Sequence, residues 1–169
     1  PAMRHVGFLY QPDNISDLPG LAQFESDCAK LGFKPLRAPV GKAEEVTAAF
    51  DILRRDKVQG LIVTGSITNL SNASRDSIIM QAAKHRLPAI YLLDSDVEAG
   101  GLISYGASFL DLWRRAAAYV DKIFKGAKPG DLPIEQPIKF DLVINMKTAK
   151  ALGIKIPNSI LVQATRVIE

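Results

Sequence analysis

The strongest constraint on this chain's fold is an alternation of segments. Short apolar runs at Val6–Tyr10, Phe33–Val40, Gly60–Thr64 and Ala89–Leu93 are separated by segments whose apolar residues recur at helical spacing. Short, continuous apolar runs read as strands covered on both faces. Between the first two, Leu21, Phe24, Cys28 and Leu31 mark a helix that Pro19 and Gly20 delay or begin. Gly32 closes it, because glycine takes the left-handed cap conformation without steric cost. Pro35 and Pro39 cannot donate to a ladder and push the second strand to an edge. Glu44–Arg55 sets Val46, Ala49, Phe50 and Leu53 on one face, with acids early and basic residues late, as the helix dipole favours. Asn72 or Ser74 caps a further helix carrying Ile78, Ile79, Ala82 and Ala83. Leu87-Pro88 then leads into the fourth strand.

Strand and helix in regular succession build a parallel sheet with helices on both faces and right-handed crossovers. The expected class is α/β: a flavodoxin-like three-layer sandwich with a mostly parallel sheet of strand order 2-1-3-4-5. After Gly101 the pattern changes. Leu102–Tyr105 reads as a fifth strand or a crossing strand, and Phe109–Phe124 as a long helix. Leu112, Trp113, Ala116, Tyr119, Val120 and Ile123 give that helix a wide apolar stripe, which needs a partner surface. Its own sheet and a second body are both open as the cover. Phe140–Asn145 is a last strand. Met146–Leu152 is a short helix closed by Gly153, and Asn158 caps a final turn.

At 169 residues, with 47% apolar and 23% charged side chains, the chain can bury a single substantial core. A formal charge of +3, evenly spread, gives no electrostatic footprint for nucleic acid. No apolar run approaches the roughly 20 residues that span a bilayer. Cys28 is the only cysteine, so no internal disulfide forms. The chain opens almost directly on a strand and reads as an excised or processed piece, so a missing leader weighs little.

The chemistry is sparse. His5 and His85 stand alone, and Cys28 lies on an apolar helix stripe with no partner pattern for catalysis. Gly65-Ser66 follows a strand but lacks the lysine of a nucleotide loop. A phosphoryl-receiver domain needs an aspartate where Thr64 and Gly65 end the third strand. Asp94 and Asp96 could pair as carboxylates, although a turn before a helix is the commoner use. No metal, cofactor or catalytic residue is indicated.

What remains is the ligand edge beyond the carboxyl ends of the strands. It collects Tyr10, Gln11, Asp13 and Asn14, then Thr64, Gly65, Ser66 and Thr68, then Asp94 and Ser95. Backbone N–H groups and hydroxyls can hold a carboxylate, an aspartate can hold an ammonium, and Tyr10 can stack a ring. The same residues also serve as turn and cap residues.

Several motifs carry a resemblance: Gly101–Gly106 (GLISYG), Arg115–Gly126 (RAAAYVDKIFKG), Lys128-Pro129, Leu132-Pro133, Phe140–Asn145 (FDLVIN), Lys147–Pro157 (KTAKALGIKIP) and Val167–Glu169 (VIE). Together they resemble the C-terminal part of bacterial ABC-transporter substrate-binding proteins of the tryptophan/tyrosine type, which have the type I periplasmic binding fold. The resemblance covers this whole chain and about the second half of the family's length. It implies one ligand-binding lobe at 1–101, a hinge-crossing strand and helix at 102–138 that pack on the other lobe, and a return strand with a helical tail at 139–169. Tyr105 and Gly106 then border the cleft or pack the hinge. The implied protein is a periplasmic or lipid-anchored receptor that closes on a small solute, an aromatic amino acid or similar, and delivers it to an ABC permease without bond chemistry. This sequence departs from the aromatic-amino-acid members at Asp13-Asn14-Ile15-Ser16 and at Trp113, where the family often has glycine. Other readings are a flavodoxin-like enzyme using Asp94 and a self-associating regulatory domain. A lobe without its mate is also expected to form a homodimer through Phe109–Phe124.

Overall fold

The computed structural model describes residues 4–169. Its sheet starts from β1 (His5–Tyr10), which lies between the edge strand β2 (Lys34–Pro39) and β3 (Gly60–Val63), and continues through β4 (Ala89–Tyr91) and β5 (Ile103–Ala107), all parallel. Two more strands extend the sheet: β6 (Phe140–Asn145) runs antiparallel to β5, and β7 (Arg166–Ile168) runs parallel to β6. The order is β2-β1-β3-β4-β5-β6-β7, so the expected five-strand order holds and the tail continues the same sheet. Proline-bearing β2 sits at an edge, where its missing donors cost no ladder bonds.

Alternation along β1 divides the core. Leu9 points to one face, with Val46, Phe50, Leu53 and Ile78 of α2 (Val46–Arg55) and α4 (Asn72–Lys84). Phe8 and Tyr10 point to the other, under Leu21, Phe24 and Cys28 of α1 (Asp17–Leu31). Helix α1 begins ahead of Pro19, not at it. Proline belongs in a first turn, where its absent N–H would have no partner anyway. Gly32 ends α1 at φ 73°, the left-handed cap expected of it.

Helix α4 is capped neither by Asn72 nor by Ser74. Ser71 is the cap, its Oγ accepting from the Ser74 N–H at 3.0 Å. Ser71→Ala is expected to cost about 1 kcal/mol, measurable by urea denaturation. Strand β4 stops at Tyr91, because Asp94 already begins α5 (Asp94–Glu98). A four-residue helix, α3 (Gly65–Thr68), follows β3.

Helix α6 (Phe109–Phe124) stands apart, with none of its residues buried. Residues 129–138 run back along it as a strap. Arg115 pairs with Glu135 and donates to the Gln136 carbonyl at 3.1 Å, and the Tyr119 hydroxyl donates to the Pro133 carbonyl at 2.6 Å. The strap flanks Leu112, Ala116, Tyr119 and Ile123. Leu110, Trp113, Val120 and Phe124 stay open, Trp113 at 70% exposure and Phe124 at 86%. The chain's own sheet therefore does not cover the stripe. The excursion returns to its starting point, where the Ser108 N–H donates to the Lys139 carbonyl at 2.9 Å. Beyond β6, α7 (Met146–Leu152) ends at Gly153, with φ 74°, and α8 (Asn158–Leu161) starts after Pro157, which takes the capping position expected of Asn158.

Candidate functional site

A cleft of about 620 Å³ opens at the carboxyl ends of β1, β3 and β4, on the face that carries α1. Phe8, Ile62 and Ile90 form its apolar floor, and Leu92, Tyr105 and Phe109 one wall. The other wall is polar and comes from the turns after β1 and β3. The Asn14 side-chain carbonyl accepts from the Ser16 N–H at 2.9 Å, a local turn that delivers the chain into α1.

Asp17 is the centre of the polar wall. Its Oδ2 accepts from the Gln11 N–H at 2.9 Å, from the Thr64 hydroxyl at 2.9 Å and from the Ser66 hydroxyl. Thr64 and Ser66 lie 2.8 Å apart, oxygen to oxygen. Thr64 is extended at the mouth of α3, so its side chain and that of Ser66 both reach across to α1. Gly65 between them lets Leu92 close in. A Cβ there would lie 3.0 Å from the Leu92 side chain.

Of the residues expected at the ligand edge, Asn14, Thr64, Gly65, Ser66 and Tyr105 line this one cleft. The others do not. Tyr10 is buried in the α1-side core, its ring 6.1 Å from Phe8. Asp13 is exposed on the turn after β1. Asp94 lies 3.8 Å from Arg166 and lines a separate cavity of about 340 Å³ with Ser104, Ser108 and Lys139. Ser95 donates its N–H to Asp94 Oδ1 at 2.9 Å, inside the first turn of α5. The residues missed are Asp17, Ser16, Asn69 and Phe109. An acid in the first turn of a helix reads as a response to the dipole. Only folding brings Asp17 to two hydroxyls 47 and 49 residues away.

Asp96 sits behind the cleft wall on α5. It is 1% exposed, and both its oxygens are enclosed without a hydrogen-bond partner. The neighbouring Thr68 hydroxyl donates to the Gly65 carbonyl at 3.3 Å instead. Burial pushes the Asp96 carboxyl up to about 6, against the opposing pull of the Arg75 charge. Asp96 and Asp94 therefore form no carboxylate pair: one is enclosed and the other faces Arg166.

The remaining reactive groups are occupied. Cys28 is buried, and burial, then the charges of Asp27 and Glu25, push its thiol up. The His5 ring nitrogen Nδ1 lies 2.8 Å from the Asp56 carbonyl oxygen, and His85 stacks on Phe50. Among the described residues, no group of three or more His, Cys, Asp or Glu is placed to hold a metal ion. No helix of the described residues is long and apolar enough to cross a membrane.

Comparison with known proteins gives a consistent picture. A family profile described as "ABC transporter substrate binding protein" matches residues 1–168. A conserved domain protein of Vibrio cholerae O1 biovar El Tor superimposes with a TM-score of 0.86 at 28% identity, over 99% of this chain and 55% of that one. An ABC domain from Streptococcus pneumoniae, solved in complex with L-Trp, superimposes with a TM-score of 0.85 at 26% identity, over 98% of this chain and 55% of the other. A tyrosine-binding protein of Clostridioides difficile is 21% identical over 155 residues, covering 92% of this chain and 44% of its own length. The chain thus spans about half the length of the proteins it matches.

Proposed function

Because the chain belongs to the ABC transporter substrate-binding protein family, we propose that it forms one lobe of a periplasmic or lipid-anchored receptor that captures a small solute, an aromatic amino acid or similar, for an ABC permease. The family consists of transport binding proteins, and the reading requires no bond chemistry. The observation that carries it is the cleft. Asn14, Thr64, Ser66, Asp17 and Tyr105 converge on an apolar floor beyond the strand ends, where open parallel sheets bind ligands. Its volume of about 620 Å³ falls within the range of small-molecule sites. The cleft is open on one side, and a second lobe closing by hinge motion would complete it.

In this reading β5 and β6 are the crossing strands, and the bare stripe of α6 lies against the other half of the full-length protein. The relatives are about twice as long as this chain, which supplies the material for that cover. Trp113 is the only tryptophan of these 169 residues, so in the chain alone fluorescence reports on the stripe directly. In the chain alone its emission is expected to be that of a hydrated indole, and in the full-length protein, with any other tryptophan replaced by phenylalanine, it shifts to the blue. A blue shift that grows with the concentration of the chain alone would instead identify a second copy as the cover.

The receptor reading is tested by titrating the full-length protein with L-tryptophan and L-tyrosine, with calorimetry for binding and small-angle scattering for shape. Saturable binding with compaction is expected. Neither binding nor compaction with either amino acid would refute the assignment of aromatic amino acids.

A further inference from the structure

We infer that this side of the cleft selects a protonated amine: it takes the ammonium end of an aromatic or apolar amine, with Asp17 as counter-charge and the Thr64 and Ser66 oxygens as acceptors. The inference rests on the receptor reading and specifies the chemistry its ligand must carry.

The first argument is the charge of the lining. Among the described residues, Asp17 is the only one around the cleft with a formal charge, and no lysine, arginine or histidine lines it. A ligand carboxylate placed in this lobe would meet an aspartate and no cation. The second argument is a shortage of hydrogens. Asp17 Oδ2, Thr64 Oγ1 and Ser66 Oγ are in mutual hydrogen-bond contact. A carboxylate only accepts, and each hydroxyl has a single hydrogen. Three oxygen–oxygen contacts therefore share two hydrogens, and the cluster lacks a donor. An ammonium brings three. Asp17 Oδ1 accepts none of the three bonds that converge on Oδ2, and Asp17 lines the cleft. The third argument is the floor. Phe8, Ile62 and Ile90 offer no polar side-chain atom, so the body of the ligand is apolar, with Tyr105 and Phe109 available to a ring.

The test is calorimetric titration of the full-length protein with three matched probes. Tryptamine has the ammonium without the carboxylate, indole-3-propionate has the carboxylate without the ammonium, and L-tryptophan has both. Tryptamine is expected to bind, and indole-3-propionate to bind at least about tenfold to a hundredfold more weakly, the loss expected for a charge-assisted hydrogen bond. Asp17→Asn should weaken tryptamine by a similar factor, about ten to a hundred. The probe comparison uses the wild-type protein, so it decides the matter even if the variant folds poorly. Indole-3-propionate binding as tightly as tryptamine, or L-tryptophan binding while tryptamine does not, overturns the amine inference and leaves the receptor reading standing. Binding of none of the three overturns the amine inference. Native mass spectrometry of the protein from its own source then judges the receptor reading: a co-purified anionic or neutral solute keeps it, and no solute counts against it.

Discussion

Asp96→Asn is expected to stabilise the protein by about 1–3 kcal/mol at pH 7.5 and by close to nothing at pH 4. Asp96 is enclosed, both its oxygens lack partners, and burial raises its carboxyl from 3.8 to about 6. A carboxyl with a raised pKa holds its proton more tightly in the folded state than in the unfolded one. The folded state is then free of penalty below the unfolded value of 3.8, and it loses stability as pH rises from there through about 6. Above that range the full cost remains, at most about 3 kcal/mol for a shift of this size. Asparagine cannot ionise and removes the cost along with its pH dependence. Urea denaturation of both proteins at pH 4 and 7.5 measures the difference directly. A variant less stable than wild type at pH 7.5 would show that the charged carboxylate is stabilised in the native protein and would refute the prediction.

The second large effect is at Gly106. A Cβ on this residue would overlap the carbonyl oxygen of Leu92, a backbone atom with no freedom to swing aside. Gly106 lies on β5 opposite Asp141, so β5 cannot retreat without straining its ladder with β6. Gly106→Ala is therefore expected to cost about 2–4 kcal/mol, toward the upper end for overpacking. For a chain of this size that lowers the melting temperature by roughly 4–16 °C. Gly65→Ala is the control. There the added methyl would meet only the tip of the Leu92 side chain, at 3.0 Å, and the expected cost stays below about 1 kcal/mol. Equal losses at the two positions would mean that the Leu92 side chain is as immobile as its backbone.

Most of the fold was legible in the sequence. The ranges Phe109–Phe124, Phe140–Asn145 and Met146–Leu152 were readable to the residue, because each is bounded by glycine, proline or a cap and has a clean period. The five-strand order comes from the alternation read together with the usual order of flavodoxin-like sheets. Errors fell where two local signals competed. Pro19 read as a helix start because proline breaks helices, yet the first turn tolerates it. Ser71 lost to its neighbours Asn72 and Ser74 because all three are good caps. The cleft was half legible. Asn14, Thr64, Gly65 and Ser66 come together by their position at strand ends, whereas Tyr105 is set beside the cleft only by what the resemblance implies. Tyr10 was misplaced because the alternation of β1 turns it under α1. Asp17 was invisible for a different reason, since its role comes from contacts that no local window contains.

The hydrogen bond from Ser108 to Lys139 closes the base of the excursion that carries α6 and its strap. Ala107 and Phe140 are already paired across β5 and β6 at that point. In topological terms these strands are a β-hairpin whose turn has been replaced by a removable cassette. Residues 109–138 could therefore be cut out and the strands rejoined by a tight turn, leaving every rung of the β5–β6 ladder in place. The cut would still reach the cleft, because the cassette carries Phe109, one of its wall residues: the appendage is separable from the sheet but not from the site.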